Sequence, residues 1–134
     1  MGALPQWPDQ VVGSVLSNRR IGQTWEKAAE SFLQLRGLKP RERNFFSRWG
    51  EIDLIMEDRE HLVFIEVKYR RNSDYGHALE MLGRTKQQRL IRAARYYLTR
   101  NPKYQQRPCR FDFVAIQGEQ DNPDFHWIKN AFTG

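Results

Sequence analysis

The order of apolar patterns along this chain predicts an α/β domain. Residues 24–36 and 79–100 carry apolar side chains at helical spacing. Between them, the runs 51–57 and 61–69 are rich in Ile, Val, Leu and Phe, the composition of strands. A further apolar run, Phe111 to Ile116, follows the second helical segment. A chain of 134 residues forms one domain, able to bury roughly two-thirds of its unfolded surface without staples.

The elements follow in order. Residues 1–20 show no clear periodicity and are expected to form a loose N-terminal arm, ahead of a single domain over 21–134. Pro5, Pro8 and Asp9 interrupt that arm, and no apolar run in it has the length of a signal peptide or membrane span. Thr24 can cap a first helix, Gly37 can end it in a left-handed conformation, and Pro40 blocks its continuation. Trp25, Ala28, Ala29, Phe32 and Leu35 form its apolar stripe. Residues 43–48 make a weaker strand candidate, whereas 51–57 and 61–69 flank the polar tetrad Glu57-Asp58-Arg59-Glu60, which suits a hairpin connection. The second helix is expected from about Leu79 to Arg100, ended by Asn101-Pro102. Leu79, Leu90, Ala93, Ala94, Tyr97 and Leu98 fall on one side of it, and Arg84, Arg89, Arg92 and Arg95 on the other. Phe111 to Ile116 is the next strand, and Phe125 to Ile128 a short last one.

Charge is concentrated. The chain carries a formal +6, yet the segment from Arg84 to Arg110 holds nine cationic residues and no Asp or Glu, so the remainder sums to −3. Such a block is either a solvated helix face or a surface that contacts phosphates; the absence of acids favours phosphates. Cys109 is the single cysteine, which excludes an intrachain disulfide and a thiolate zinc site and points to a reduced, cytoplasmic setting.

The chemistry lies in the two strong strands. Alternate strand residues share a face, which groups Glu51, Asp53 and Ile55 on one side, and Ile52, Leu54 and Met56 on the other. Glu66 and Lys68 likewise share a face. If the strands pair, Asp53 and Glu66 come close. Two unit charges about 4 Å apart repel by roughly 4 kcal/mol at an effective dielectric of 20, and a divalent cation reverses the sign. Oxygen ligands suit Mg2+ or Mn2+, whose bound water can serve as a nucleophile. Lys68 is placed to orient that water or to neutralise charge at phosphorus. The competing reading is a surface hairpin whose carboxylates pair with Lys68 and nearby arginines; the paired pattern favours the metal.

Gly50-Glu51-Ile52-Asp53-Leu54-Ile55, a short hairpin, and Phe64-Ile65-Glu66-Val67-Lys68-Tyr69-Arg70 together resemble the PD-(D/E)xK nuclease signature. More closely, the chain resembles the YraN-type family of small bacterial proteins, itself similar to the archaeal Holliday junction resolvases. Gly22, Glu26 and Ala29 match that family's first-helix motif, and Asn44, Lys86-Gln87, Arg110-Phe111-Asp112 and Ala131-Phe132 extend the likeness over roughly 21–132. The resemblance implies a restriction-endonuclease-like core, a mixed central sheet flanked by helices. It also implies metal binding by Asp53 and Glu66, assistance from Lys68, and a first-helix acid at Glu26. The Pro of the superfamily name is absent, since residue 52 is Ile.

Glu26 lies at the edge of its apolar stripe and can face the site; as a first-turn glutamate it would instead interact with the helix dipole. Glu51 is equally well read as an outer or second metal ligand or as a solvated residue. Asp112 reads as a structural acid paired with an arginine, and His61, His77 and His126 lack metal-ligand spacing. Trp7, Trp25, Trp49 and Trp127 read as packing residues, Trp49 with the second reading of stacking on a base. The expected function is a metal-dependent nuclease hydrolysing phosphodiester bonds in DNA, structured or branched DNA included, with Arg70, Arg71, Lys86, Arg89 and Arg92 gripping phosphates. The alternative is a nucleic-acid-binding protein or subunit that keeps the fold without cutting. No membrane partner is expected. A branched substrate would favour a homodimer, since two cuts need two sites.

Overall fold

The computed structural model describes residues 15–71 and 82–134. Helix α1 (Val15–Gln34) is followed by strands β1 (Lys39–Ser47), β2 (Gly50–Asp58) and β3 (His61–Arg70), helix α2 (Arg84–Arg100), and strands β4 (Cys109–Glu119) and β5 (Asn122–Phe132). The five strands form one sheet in chain order. Neighbours are antiparallel except β3 and β4, which run parallel. A parallel pair needs a crossover, and the segment containing α2 supplies it. The sheet is therefore mixed and flanked by two helices, compatible with a restriction-endonuclease-like core.

Alternation along β3 sorts the core into two layers. Leu62 and Phe64 pack with Leu90, Ala93, Ala94 and Tyr97 of α2. Val63, Ile65 and Val67 pack with Trp25, Ala28, Ala29 and Leu33 of α1. Both sheet faces are covered, which explains why β2 and β3 are buried along most of their length.

Helix α1 ends as its glycine requires. Gly37 has φ 97°, the Gly37 N–H donates to Gln34 O at 3.0 Å, and the Leu38 N–H to Leu33 O at 3.1 Å. That Schellman closure brings Leu38 back beside Leu33, and both are buried. Leu35, expected in the apolar stripe, lies outside it and is 83% exposed; Leu33 takes its place. The helix also begins at Val15, well before Thr24, so the last residues of the expected arm are helical. Residues 1–14 lie outside the described residues, as do Leu79 and the expected first turn of α2. Strands β1 and β5 are longer than their sequence signals. Both sit at sheet edges, where partial exposure weakens the apolar alternation.

Asp112 is the structural acid expected. It is 1% exposed and accepts from Arg110 Nε at 3.0 Å, Trp127 Nε1 at 2.9 Å and the Asn130 N–H at 2.9 Å. Asn130, at φ 51°, sits where β5 carries an irregularity against β4. Among the described residues, no helix is long and apolar enough to cross a membrane.

Candidate metal centre and nucleic-acid face

The β2–β3 ladder runs from Asp58↔His61 to Leu54↔Ile65 and stops there. The next residues in register are Asp53 and Glu66, the two acids singled out from sequence. In place of a ladder bond, the Val67 N–H donates to Asp53 Oδ2 at 2.8 Å. A buried carboxylate thus fills the gap between strands and is held in orientation by backbone. A cavity of about 560 Å³ opens here between α1 and α2.

Four acids face the cavity: Glu26 from α1, Glu51 and Asp53 from β2, and Glu66 from β3. Glu26, Glu51 and Asp53 can each offer one oxygen such that all three lie within 4.8 Å of one another. Asn44 Nδ2 donates to Glu26 Oε1 at 2.5 Å and to Glu51 Oε1 at 3.2 Å. Asn44 has φ 54°, a left-handed conformation that Asn tolerates. It lies on β1 between the pairs Arg43↔Leu54 and Phe45↔Ile52. At this point the expected alternation of β2 fails: Ile52 packs in the α2 layer, while Leu54 and Met56 pack in the α1 layer.

Glu66 has different company. Lys68 Nζ is 3.8 Å from its Oε2, and Lys86 Nζ of α2 contacts the same oxygen. Lys86, expected to grip phosphate, is therefore engaged with an acid of the site. Arg89 also lines the cavity. Arg92 is exposed further along α2, as are Arg84 and Arg95. Arg70 is exposed at the end of β3, and Arg71 pairs with Glu119 at 3.2 Å. Neither Arg70 nor Arg71 borders the cavity.

The electrostatics follow from this crowding. Burial pushes the Asp53 carboxyl well above the usual range, and the negative charges of Glu66 and Glu26 push further; the Val67 N–H opposes them. Burial likewise raises Glu26, against the hydrogen bond from Asn44. Lys68 is lowered, first by burial and then by Lys86 beside it. For Lys86, burial is the largest single effect and acts downward, but the attraction and hydrogen bond of Glu66 together with Lys68 and Asp53 outweigh it, so its pKa is raised. Glu26 lies well inside α1, eleven residues beyond Val15, so a first-turn dipole role does not apply.

An all-oxygen donor set with a surplus of negative charge fits a hard divalent cation. Asp53 and Glu66, paired from sequence, line the same cavity, while the oxygens within 4.8 Å of one another belong to Glu26, Glu51 and Asp53. Glu51, left open in the sequence between a ligand and a solvated residue, stands with these acids, and Asn44 bridges it to Glu26. Asn44 preceding an acidic strand was the available signal.

The model of the uncharacterised protein family UPF0102 matches residues 25–116. A UPF0102 protein of Nitrosococcus oceani is 48% identical over 116 residues, 87% of this chain and 94% of that protein. One from Alcanivorax borkumensis is 45% identical over 117 residues, with 87% and 94% covered. Among solved structures, Pyrococcus furiosus SfsA in complex with Ca2+ overlaps with a TM-score of 0.34 at 12% identity, covering 84% of this chain and 63% of that one. A likeness of that size carries no argument.

Proposed function

The chain belongs to the UPF0102 family, the YraN-type group its motifs resemble, and from its site we propose a metal-dependent nuclease that hydrolyses phosphodiester bonds in DNA. One observation carries this reading: three carboxylates within 4.8 Å of one another, in a cavity that also presents Lys68, Lys86 and Arg89. Acids to hold a cation, beside cations to meet an anion, are the requirements of phosphoryl chemistry. The resolvase resemblance makes branched DNA the substrate form to try first. The single cysteine favours a cytoplasmic setting.

Asp53, with Glu26 and Glu51 within reach of it, would hold Mg2+ or Mn2+, and Glu66 from β3 lines the same cavity. When bound, such an ion supplies Lewis-acid activation of water and of the phosphoryl group. The remaining work falls to the chain. Val67 fixes the Asp53 carboxylate through its N–H. Lys68, with its lowered pKa, surrenders a proton more readily than an ordinary lysine and can take one back from attacking water. Lys86 balances the charge of Glu66, and Arg89 meets a phosphate flanking the cut, with Arg92, Arg70 and Arg71 extending the path.

The test is a cleavage panel of labelled single-stranded, duplex and four-way-junction DNA with Mg2+, Mn2+ or EDTA. Metal-dependent products are expected, lost in Asp53→Asn while affinity persists. Binding without products under either metal would replace the enzyme with the non-cleaving alternative.

A further inference from the structure

Beside the carboxylate cavity lies a group of aromatic side chains that the hydrolytic chemistry does not use. Trp49, in the β1–β2 turn, lines that cavity and is only half-buried. Its ring lies 5.7 Å from that of Tyr96 on α2, tilted by 57°. Tyr96 in turn lies 6.0 Å from Phe45. Guanidinium groups bracket the pair: Arg48 sits 4.6 Å over the Trp49 ring, and Arg100 donates to the Tyr96 hydroxyl at 3.0 Å. A second hollow of about 510 Å³, walled by Glu42, Phe45, Phe46, Tyr96 and Arg100, adjoins this ring pair, and Phe46 is 57% exposed.

Packing buries Tyr97 and Tyr104 but not the rings of Trp49 and Tyr96. Here they stay partly open, at the rim of an acid site, among arginines. Partly open aromatic faces interleaved with cations suit a single strand, whose bases stack on rings while its phosphates meet guanidinium groups. Bases inside a duplex already stack on one another and present only their edges, so such a surface offers them little.

We propose that Trp49 and Tyr96, with Arg48 and Arg100, form a stacking platform that takes unpaired bases of a nucleic-acid strand whose phosphates cross the carboxylate cavity. The substrate is then a strand with unpaired nucleotides beside the cut. This rests on the nuclease reading of the cavity and specifies its substrate class.

The experiment measures binding without cleavage. Anisotropy of a labelled oligothymidine and of a matched duplex is followed in EDTA for wild type, Trp49→Ala and Trp49→Phe. Loss of one stacked base weakens single-strand binding by about 5- to 150-fold. Trp49→Ala should show that loss with duplex affinity unchanged, and Trp49→Phe should recover most of it. A scan of single abasic positions along the oligonucleotide tests the same contact on wild-type protein, independent of how Trp49→Ala folds. One or two positions should weaken binding, and that penalty should vanish in Trp49→Ala. Equal single-strand affinity in wild type and Trp49→Ala, equal losses for single strand and duplex, or a flat abasic scan would overturn the platform. Cleavage with Mn2+ is scored separately. A base-dependent wild type that never cuts removes the nuclease and keeps the platform. A cutting enzyme with a flat scan does the reverse.

Discussion

Replacing Asp53 by Asn should stabilise the metal-free protein and abolish its response to metal. Oxygens of Glu26, Glu51 and Asp53 come within 4.8 Å of one another, so each ionised pair repels by roughly 3 kcal/mol at an effective dielectric of 20. Protonation relieves part of that repulsion, because burial and the neighbouring acids raise the Asp53 pKa. The Asn oxygen can still accept the Val67 N–H. A net gain of about 1–3 kcal/mol is expected, or a rise of roughly 4–10 °C in Tm for a domain of this size. The gain should grow with pH. A raised folded pKa means the native state holds a proton that the unfolded chain has lost. Wild-type stability therefore declines as pH climbs from about 3.8, the ordinary Asp value, toward the elevated one, and the variant lacks this decline. With Mn2+ at a hundred times its Kd, wild type should gain about 2.7 kcal/mol and the variant nothing, so the gap closes and, for a variant advantage below about 2.7 kcal/mol, the ranking reverses. Thermal melts at pH 5 and 7.5, in EDTA and in Mn2+, read all of this. A lower Tm for Asp53→Asn in EDTA, or an equal upshift with Mn2+, would refute the account of these acids as a strained, cation-seeking group.

Asp112→Ala strands Trp127 Nε1 and the Asn130 N–H and leaves Arg110 with Asp58; urea unfolding should show a loss of about 3–5 kcal/mol. Arg89→Gln combined with Arg92→Gln should flatten the slope of log affinity against log salt by about two units, from a wild-type value near −4 if Arg84, Arg89, Arg92 and Arg95 all meet phosphates. Tm should barely move, because both side chains are exposed; an unchanged slope would make this face ordinary solvated surface. Lys68→Ala should remove most cleavage while leaving DNA affinity within a few-fold, and equal losses in both would reassign Lys68 to binding.

Residues that answer to local physics were legible in the sequence. The apolar runs of β2 and β3, the Gly37 stop and the two-sided composition of α2 each follow from neighbours a few positions away. Leu33 and Leu35 show where that stops. At 100° per residue they lie about 80° to either side of Trp25, so periodicity does not choose between them. The choice comes from the Schellman closure, which returns Leu38 onto Leu33. Asp53 and Glu66 were found because a hairpin register relates them. Lys86 is read as a phosphate contact because its neighbours are basic, whereas docking of α2 on the sheet sets it on Glu66, and no spacing in the sequence encodes that docking. Asn44, in a left-handed conformation, donates to both Glu51 and Glu26, a bridge that no local spacing in the sequence encodes.

The opening of the β2–β3 ladder at Leu54↔Ile65 has a consequence for the life of the protein. Because the cleft lies at the meeting point of α1, β1, β2, β3 and α2, no fragment that ends before α2 contains it. During synthesis the acids emerge first, and the cleft stays unfinished until α2 has crossed over and delivered Lys86. Long-range assembly of this kind comes late in folding. A nascent or partly melted copy therefore lacks the finished cleft, and whatever chemistry the cleft performs belongs to the completed fold alone.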